Sequence, residues 1–185
     1  MTTLEQAQVA ATEWAGDGDS LIKTWLINAI LDEKQHRDIG KLLAQCAEIH
    51  VNKWLTERLG RQVVGVVGKS HDSETVDEPR VRFQVKFRMG SWHLETTRRN
   101  SAKNASTSST GHVAYKSNEF DILCIFVPGP HFGVSGSKIR CIPVEALVNP
   151  TKPDQLVPRI NKPIRTKYDN DPATENIISE LKLQK

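Results

Sequence analysis

The stretch HDSETVDEPRVRFQVKFR, residues 71–88, decides the fold. Its second half alternates without a break: Val81, Phe83, Val85 and Phe87 fall on one side of an extended chain, and Arg80, Arg82, Gln84, Lys86 and Arg88 on the other. A strand of that pattern buries one face in a core and leaves the other wet and cationic. Asp77-Glu78-Pro79 supplies turn-forming residues, so residues 71–86 are predicted to form an antiparallel hairpin. With Val76 paired to Arg80, the register sets Glu74 opposite Arg82 and Asp72 opposite Gln84, and directly opposed side chains lie about 5 Å apart at Cβ. Lys86 follows on the same face, with the carbonyl of Val85 at hand. A carboxylate, an amide oxygen, a carbonyl and an ammonium thereby gather around one point. Oxygen donors of this sort suit a hard divalent cation that keeps several of its waters.

Upstream of the hairpin the pattern is helical. Leu4 to Trp14, Leu21 to Asp32 behind the possible caps Asp19 and Ser20, and Ile39 to Leu59 are predicted helices, the last starting after Asp38 as N-cap and stopping at Gly60. Ile39, Leu42, Leu43, Cys46, Ile49 and Trp54 form the expected buried stripe of that third helix. Downstream, Trp92 to Thr97 is a candidate strand and Asn100 to Gly111 (NSAKNASTSSTG) a loop of small polar residues. Phe120 to Val127 is a buried strand, and Ile139 to Ile142 a short strand running into a helical turn at Val144 to Val148. The proline-spaced basic segment 150–168 is expected to run extended over the surface, before a final amphipathic helix from Ala173 to Leu183.

With 185 residues, 38% hydrophobic and 25% charged, and a mean hydropathy of −0.44, the chain has the make-up of a soluble globular domain and needs no disulfides or metals to hold its core. Its longest apolar runs are strand-length and its N-terminus lacks a leader pattern, so a cytoplasmic protein is expected. Cys46, Cys124 and Cys141 are widely spaced and sit among apolar neighbours, as reduced core thiols do. The histidines show no zinc spacing with them, and the glycines of 65–68 and 133–136 do not make a phosphate loop.

The net charge of +3 conceals an asymmetry. Residues 1–78 carry 8 bases against 13 acids, residues 79–116 carry 8 bases against the single acid Glu95, and the remainder 9 against 8. A basic concentration of this kind is the footprint of polyanion binding, and it begins in the strand that carries Gln84 and Lys86.

Helix, strand, hairpin and then FQVKFR (83–88) resembles the PD-(D/E)xK nuclease superfamily, the restriction-endonuclease-like group, in its variant with glutamine at the second acid. AEIHVNKWLTERLG (47–60) upstream, and YKSNEFDILCIFVP (115–128) with IRCIPVEAL (139–147) downstream, extend the resemblance over roughly residues 40–148. It implies an α/β fold with a restriction-endonuclease-like core, a mixed central β-sheet flanked by helices. Around it a single domain is expected: a helical extension over 1–37, the core over 38–148, and a basic extended segment with the C-terminal helix over 149–185.

The resemblance also implies hydrolysis of phosphodiester bonds in double-stranded DNA with Mg2+, or Mn2+ in its place. Asp72 becomes the first acid and main metal ligand, and Gln84 the second ligand, with the carbonyl of Val85 completing the set. Lys86 orients the attacking water or stabilises charge on the phosphate, and Glu48, in the position of the family's helix glutamate, binds a second metal or holds water. Glu74 and Asp77 are rivals for the first acid, but Glu74 is explained as the cross-strand partner of Arg82 and Asp77 as a turn residue. His71 is expected to be merely exposed, and Asp121 to cap backbone or meet an arginine. Arg88, Arg98, Arg99, Lys103 and Lys116 are the expected DNA contacts, with Arg159, Lys162, Arg165 and Lys167 as further phosphate contacts. A type II restriction enzyme working as a homodimer leads the candidates, beside a homing or repair nuclease of the same fold. Because Gln84 removes one negative charge, a DNA-binding module with a decayed site is the alternative from another class. An RNA-binding protein fits less well, for want of exposed aromatics.

Overall fold

The computed structural model describes residues 2–17, 21–32, 35–88, 97–99, 112–157 and 159–184. Three helices come first, α1 (Leu4–Ala15), α2 (Leu21–Leu31) and α3 (His36–Leu59). β1 (Val63–Gly65), β2 (Ser73–Thr75), β3 (Arg82–Phe87), β4 (Thr97–Arg99), β5 (His112–Ala114), β6 (Ile122–Val127) and β7 (Lys138–Pro143) follow. The chain closes with β8 (Val148–Asn149), β9 (Lys152–Leu156), α4 (Lys162–Tyr168) and α5 (Asp171–Leu183).

One five-stranded sheet in the order β1-β2-β3-β6-β7 forms the centre. Its neighbours run antiparallel except β3 and β6, which are parallel, so the sheet is mixed and the fold is α/β, as the sequence predicts. β6 reads ILCIFV and is buried along nearly its whole length, as a strand flanked on both edges and covered on its faces must be. α3 packs on β1, β3 and β6, and α5 on β7. The β4–β5 pair and the β8–β9 pair stand apart from this sheet.

α3 differs from its expected form in two ways. It begins at His36, preceded by Gln35, which makes no side-chain cap bond, rather than after Asp38. Its buried line is Ile39, Leu43, Ala47, Val51, Leu55 and Leu59, a row in steps of four, while Ile49 is 73% exposed. The cause is size: Ala47 and Val51 let the helix come close to the sheet, and a reading weighted toward large apolar residues turns the face by part of a turn toward Ile49. The helix does end at Gly60, whose φ of +63° is the left-handed conformation that a glycine adopts without a Cβ penalty.

The segment 150–168 is not simply extended. It contains β9, which pairs with β8, and helix α4, capped by Asn161 accepting from the Ile164 N–H at 3.0 Å. Pro163 lies in the first turn of α4, where no N–H is needed, so it helps begin a helix that proline spacing had argued against. Cys124 and Cys141 face each other across β6 and β7 as buried free thiols, with Sγ atoms 4.0 Å apart. Among the described residues no helix is long and apolar enough to cross a membrane. The candidate strand over 92–97 lies outside the described residues except for Thr97, as do the 100–111 loop and the caps Asp19 and Ser20.

Candidate active site

The hairpin has the register read from the sequence. Ser73 pairs with Phe83 and Glu74 with Arg82, and the Asp72 N–H donates to the Phe83 carbonyl at 3.0 Å. β2 gives out at Asp72, and its side chain takes over where the ladder stops. Asp72 Oδ2 accepts the Val85 N–H at 2.8 Å and also the side-chain amide of Gln84, which is 3% exposed. A carboxylate therefore substitutes for the main-chain partner that β3 lacks at this point.

Glu48 approaches from α3. It is half-buried, and its carboxyl is pushed above the usual range first by burial and then by the Asp72 charge, with Lys86 opposing. Asp72 is also raised, by burial above all, against the opposing pull of the Val85 N–H and the charge of Lys86. The influence of Asp72 on Glu48, and of Lys86 on both, sets the three in one electrostatic neighbourhood. Two acids with raised affinity for protons beside one lysine make a place where a cation would be welcome.

The donors present fit a hard divalent ion. Phe83 gives its carbonyl to Asp72 and Val85 gives its N–H to the same residue, so the odd-numbered residues of β3 turn their peptide groups to the β2 edge. The carbonyl of Val85 accordingly lies on the edge where the Asp72 carboxylate sits. Gln84 turns its amide nitrogen to Asp72, and a half-turn about the last side-chain bond brings its oxygen to the same point. Among the described residues no group of three or more His, Cys, Asp or Glu side chains is placed to hold a metal, so a ligand set here needs the amide and the carbonyl as well.

The rivals of Asp72 are accounted for: Glu74 stands opposite Arg82 across the strands, as expected, but its ion pairs go elsewhere. Glu74 is not the salt-bridge partner of Arg82 but takes Lys69 at 2.7 Å, His71 at 3.0 Å and Arg80 at 3.1 Å. The Lys69 hydrogen bond, followed by that of His71, holds its carboxyl at about 2. Arg82 instead forks onto Asp121, with Nη2 to Oδ1 at 2.7 Å, while Oδ2 accepts the Arg82 backbone N–H at 2.8 Å. Asp121 stands one residue before β6, and β6 runs parallel beside β3, so it meets Arg82 more directly than the cross-strand glutamate does. His71 is buried rather than exposed, 7% accessible and bonded to Glu74.

Asp77 is tied to the Arg61 guanidinium at 3.0 Å. Arg61, 4% exposed, also donates to the carbonyls of Asp77 and Pro79, and so fastens the turn whose ends carry the site.

Of the expected DNA contacts, Lys116 is exposed. Arg88 is half-buried and donates to the Phe87 carbonyl at 2.7 Å. Arg98 and Arg99 belong to β4, and Lys103 lies outside the described residues. Sequence reasoning passed over two residues of the site's surroundings. One is Arg61, a lone base with no periodic signal; the other is Tyr115, first residue of the YKSNEFD stretch, whose hydroxyl takes a hydrogen bond from Lys86 Nζ at 2.8 Å.

No family model matches this chain, and no curated protein does. Among solved structures, a bacterial homing endonuclease, I-Ssp6803I, is similar over 57% of this chain and 69% of that one, with 21% identity and a TM-score of 0.40.

Proposed function

We propose that the chain is a Mg2+-dependent endonuclease that hydrolyses phosphodiester bonds in double-stranded DNA. The observation that carries this reading is the convergence of Asp72, Gln84 and Lys86 where β2 ends beside the central strand β3, with Glu48 reaching in from α3. Asp72, the amide oxygen of Gln84 and the carbonyl of Val85 would hold the ion. Bound there, Mg2+ supplies Lewis acidity toward a phosphoryl oxygen and acidifies a coordinated water. The chain's own groups do the rest. The Glu48 carboxylate accepts hydrogen bonds from a water on the open side of the site and so orients it. The Lys86 ammonium faces charge that grows on the phosphate and offers its N–H groups to it. Exposed bases such as Lys116 and Lys162 suit the phosphates on either side.

A subunit with one such centre cuts one strand, so cleavage of both strands calls for a second copy. A homodimeric type II restriction enzyme is the form of the reading we adopt. A second reading has a specific observation behind it: the Gln84 amide already donates to Asp72, as in a site that has given up its metal and kept only DNA binding. Plasmid cleavage with Mg2+ and calorimetric metal titration separate the two. Nicking or linearisation that vanishes in Lys86→Ala is the expected result; DNA binding without cleavage and without heat of metal binding would establish the binding module.

A further inference from the structure

We propose that Tyr115 is a positioning residue for Lys86, a role that rests on the endonuclease reading above. Lys86 Nζ donates to the Tyr115 hydroxyl at 2.8 Å and lies 5.3 Å from the centre of its ring. The ammonium therefore sits off the hydroxyl end of the ring, with the phenol oxygen between it and the ring centre, and that oxygen is what it meets. Lysine is a point charge on a flexible stem, and nothing in its own chemistry would keep it at one place beside a phosphate.

Tyr115 is itself held from several sides. It is 4% exposed, its ring meets Phe120 edge-on at 5.6 Å, and its carbonyl accepts the Leu156 N–H of β9 at 2.8 Å. The next residue, Lys116, forms a β-bridge with Gln155. Phe120 and β9 thus fix the ring, and the ring fixes the lysine. The choice of partner matters chemically. A carboxylate in this place would anchor the ammonium and cancel its charge, whereas a neutral hydroxyl accepts one N–H and leaves the full positive charge, with two further donors, for the phosphate or its attacking water.

Tyr115→Phe removes the acceptor and keeps the ring and its packing against Phe120. With Mg2+ and plasmid DNA, this variant should lose about tenfold in kcat, the size expected for a loosened reacting group, with KM for DNA within about twofold and a melting temperature like that of the wild type. A Tyr115→Phe enzyme with undiminished kcat, or one whose whole defect lies in KM or in a lowered melting temperature, overturns the proposal while wild-type cleavage keeps the endonuclease reading standing. Absence of cleavage by the wild type itself would overturn both, and that failure shows in the reference protein before any variant is compared.

Discussion

Asp72 and Glu74 sit two residues apart at the same strand, on the same side of it, and are driven in opposite directions. Glu74 has Lys69, His71 and Arg80 within 3.1 Å and is held at about 2. Asp72 has a backbone N–H, an amide and the more distant influence of Lys86, too little to offset its burial, and its carboxyl is raised. One carboxylate is saturated and behaves as a structural pin. The other keeps its charge only at a cost, which suits the metal-ligand role proposed for it. Sequence position cannot tell them apart; their partners can.

The largest effect expected from this contrast is at Asp72. Asp72→Asn should abolish cleavage, by at least about a thousandfold, since it removes the principal charged oxygen donor. It should also stabilise the fold at neutral pH by about 0.5–2 kcal/mol, because the amide relieves a buried charge at a site tuned for function rather than stability. Plasmid cleavage and thermal melting on one preparation check both. A loss of stability at pH 7 would mean that Asp72 is a pin like its neighbour.

Glu74→Gln should do the reverse. Fold stability should fall by about 1–3 kcal/mol, as hydrogen bonds to a charged group are lost and cationic partners are left facing an amide. The pH dependence separates the pair further. Glu74 has a lower pKa folded than unfolded, so its stabilisation is complete above about 4.5 and disappears as pH falls toward about 2. Asp72 has a higher pKa folded than unfolded, so the native state holds the extra proton, and stability declines as pH rises through the interval between the two values. Urea unfolding from pH 2.5 to 7 should therefore show Glu74→Gln flattening the acid limb and Asp72→Asn reducing the decline above it, with the part due to Glu48 remaining.

How far the sequence carried depends on what each feature rests on. The hairpin register was legible because a period-two strand and a turn leave one pairing that buries Phe83 and Val85, and one residue of slip would have exposed both. Asp72 beside Gln84 follows from it directly. The partner of Arg82 was legible only in kind: Asp121 is expected to cap backbone or meet an arginine, but which arginine depends on β6 lying parallel beside β3 and bringing Asp121 to a residue 39 positions earlier. Tyr115 was hidden for the same reason: only the fold brings residue 115 to Lys86. In α3 the error was one of weight, small Ala47 serving as core while large Ile49 faces solvent. The candidate site was thus readable where it is local to the hairpin and opaque where side chains arrive from distant strands.

Glu48 gives the smallest effect and the sharpest use of the contrast, because it reaches Asp72 from a separate helix without a direct hydrogen bond between them. Its carboxyl is raised by burial first and by the Asp72 charge second. Asp72→Asn should lower the Glu48 titration midpoint, since a like charge has gone, and leave Glu74 where it is, since Glu74 is governed by Lys69 and His71. Carboxyl NMR titration of the metal-free protein reads both residues in one experiment. In Glu48→Gln cleavage should fall about tenfold rather than vanish, as befits a group that orients water rather than holding the ion. A Glu48 midpoint that does not move would separate Glu48 from the site, and a Glu74 midpoint that moves with it would erase the distinction between the two carboxylates of the hairpin.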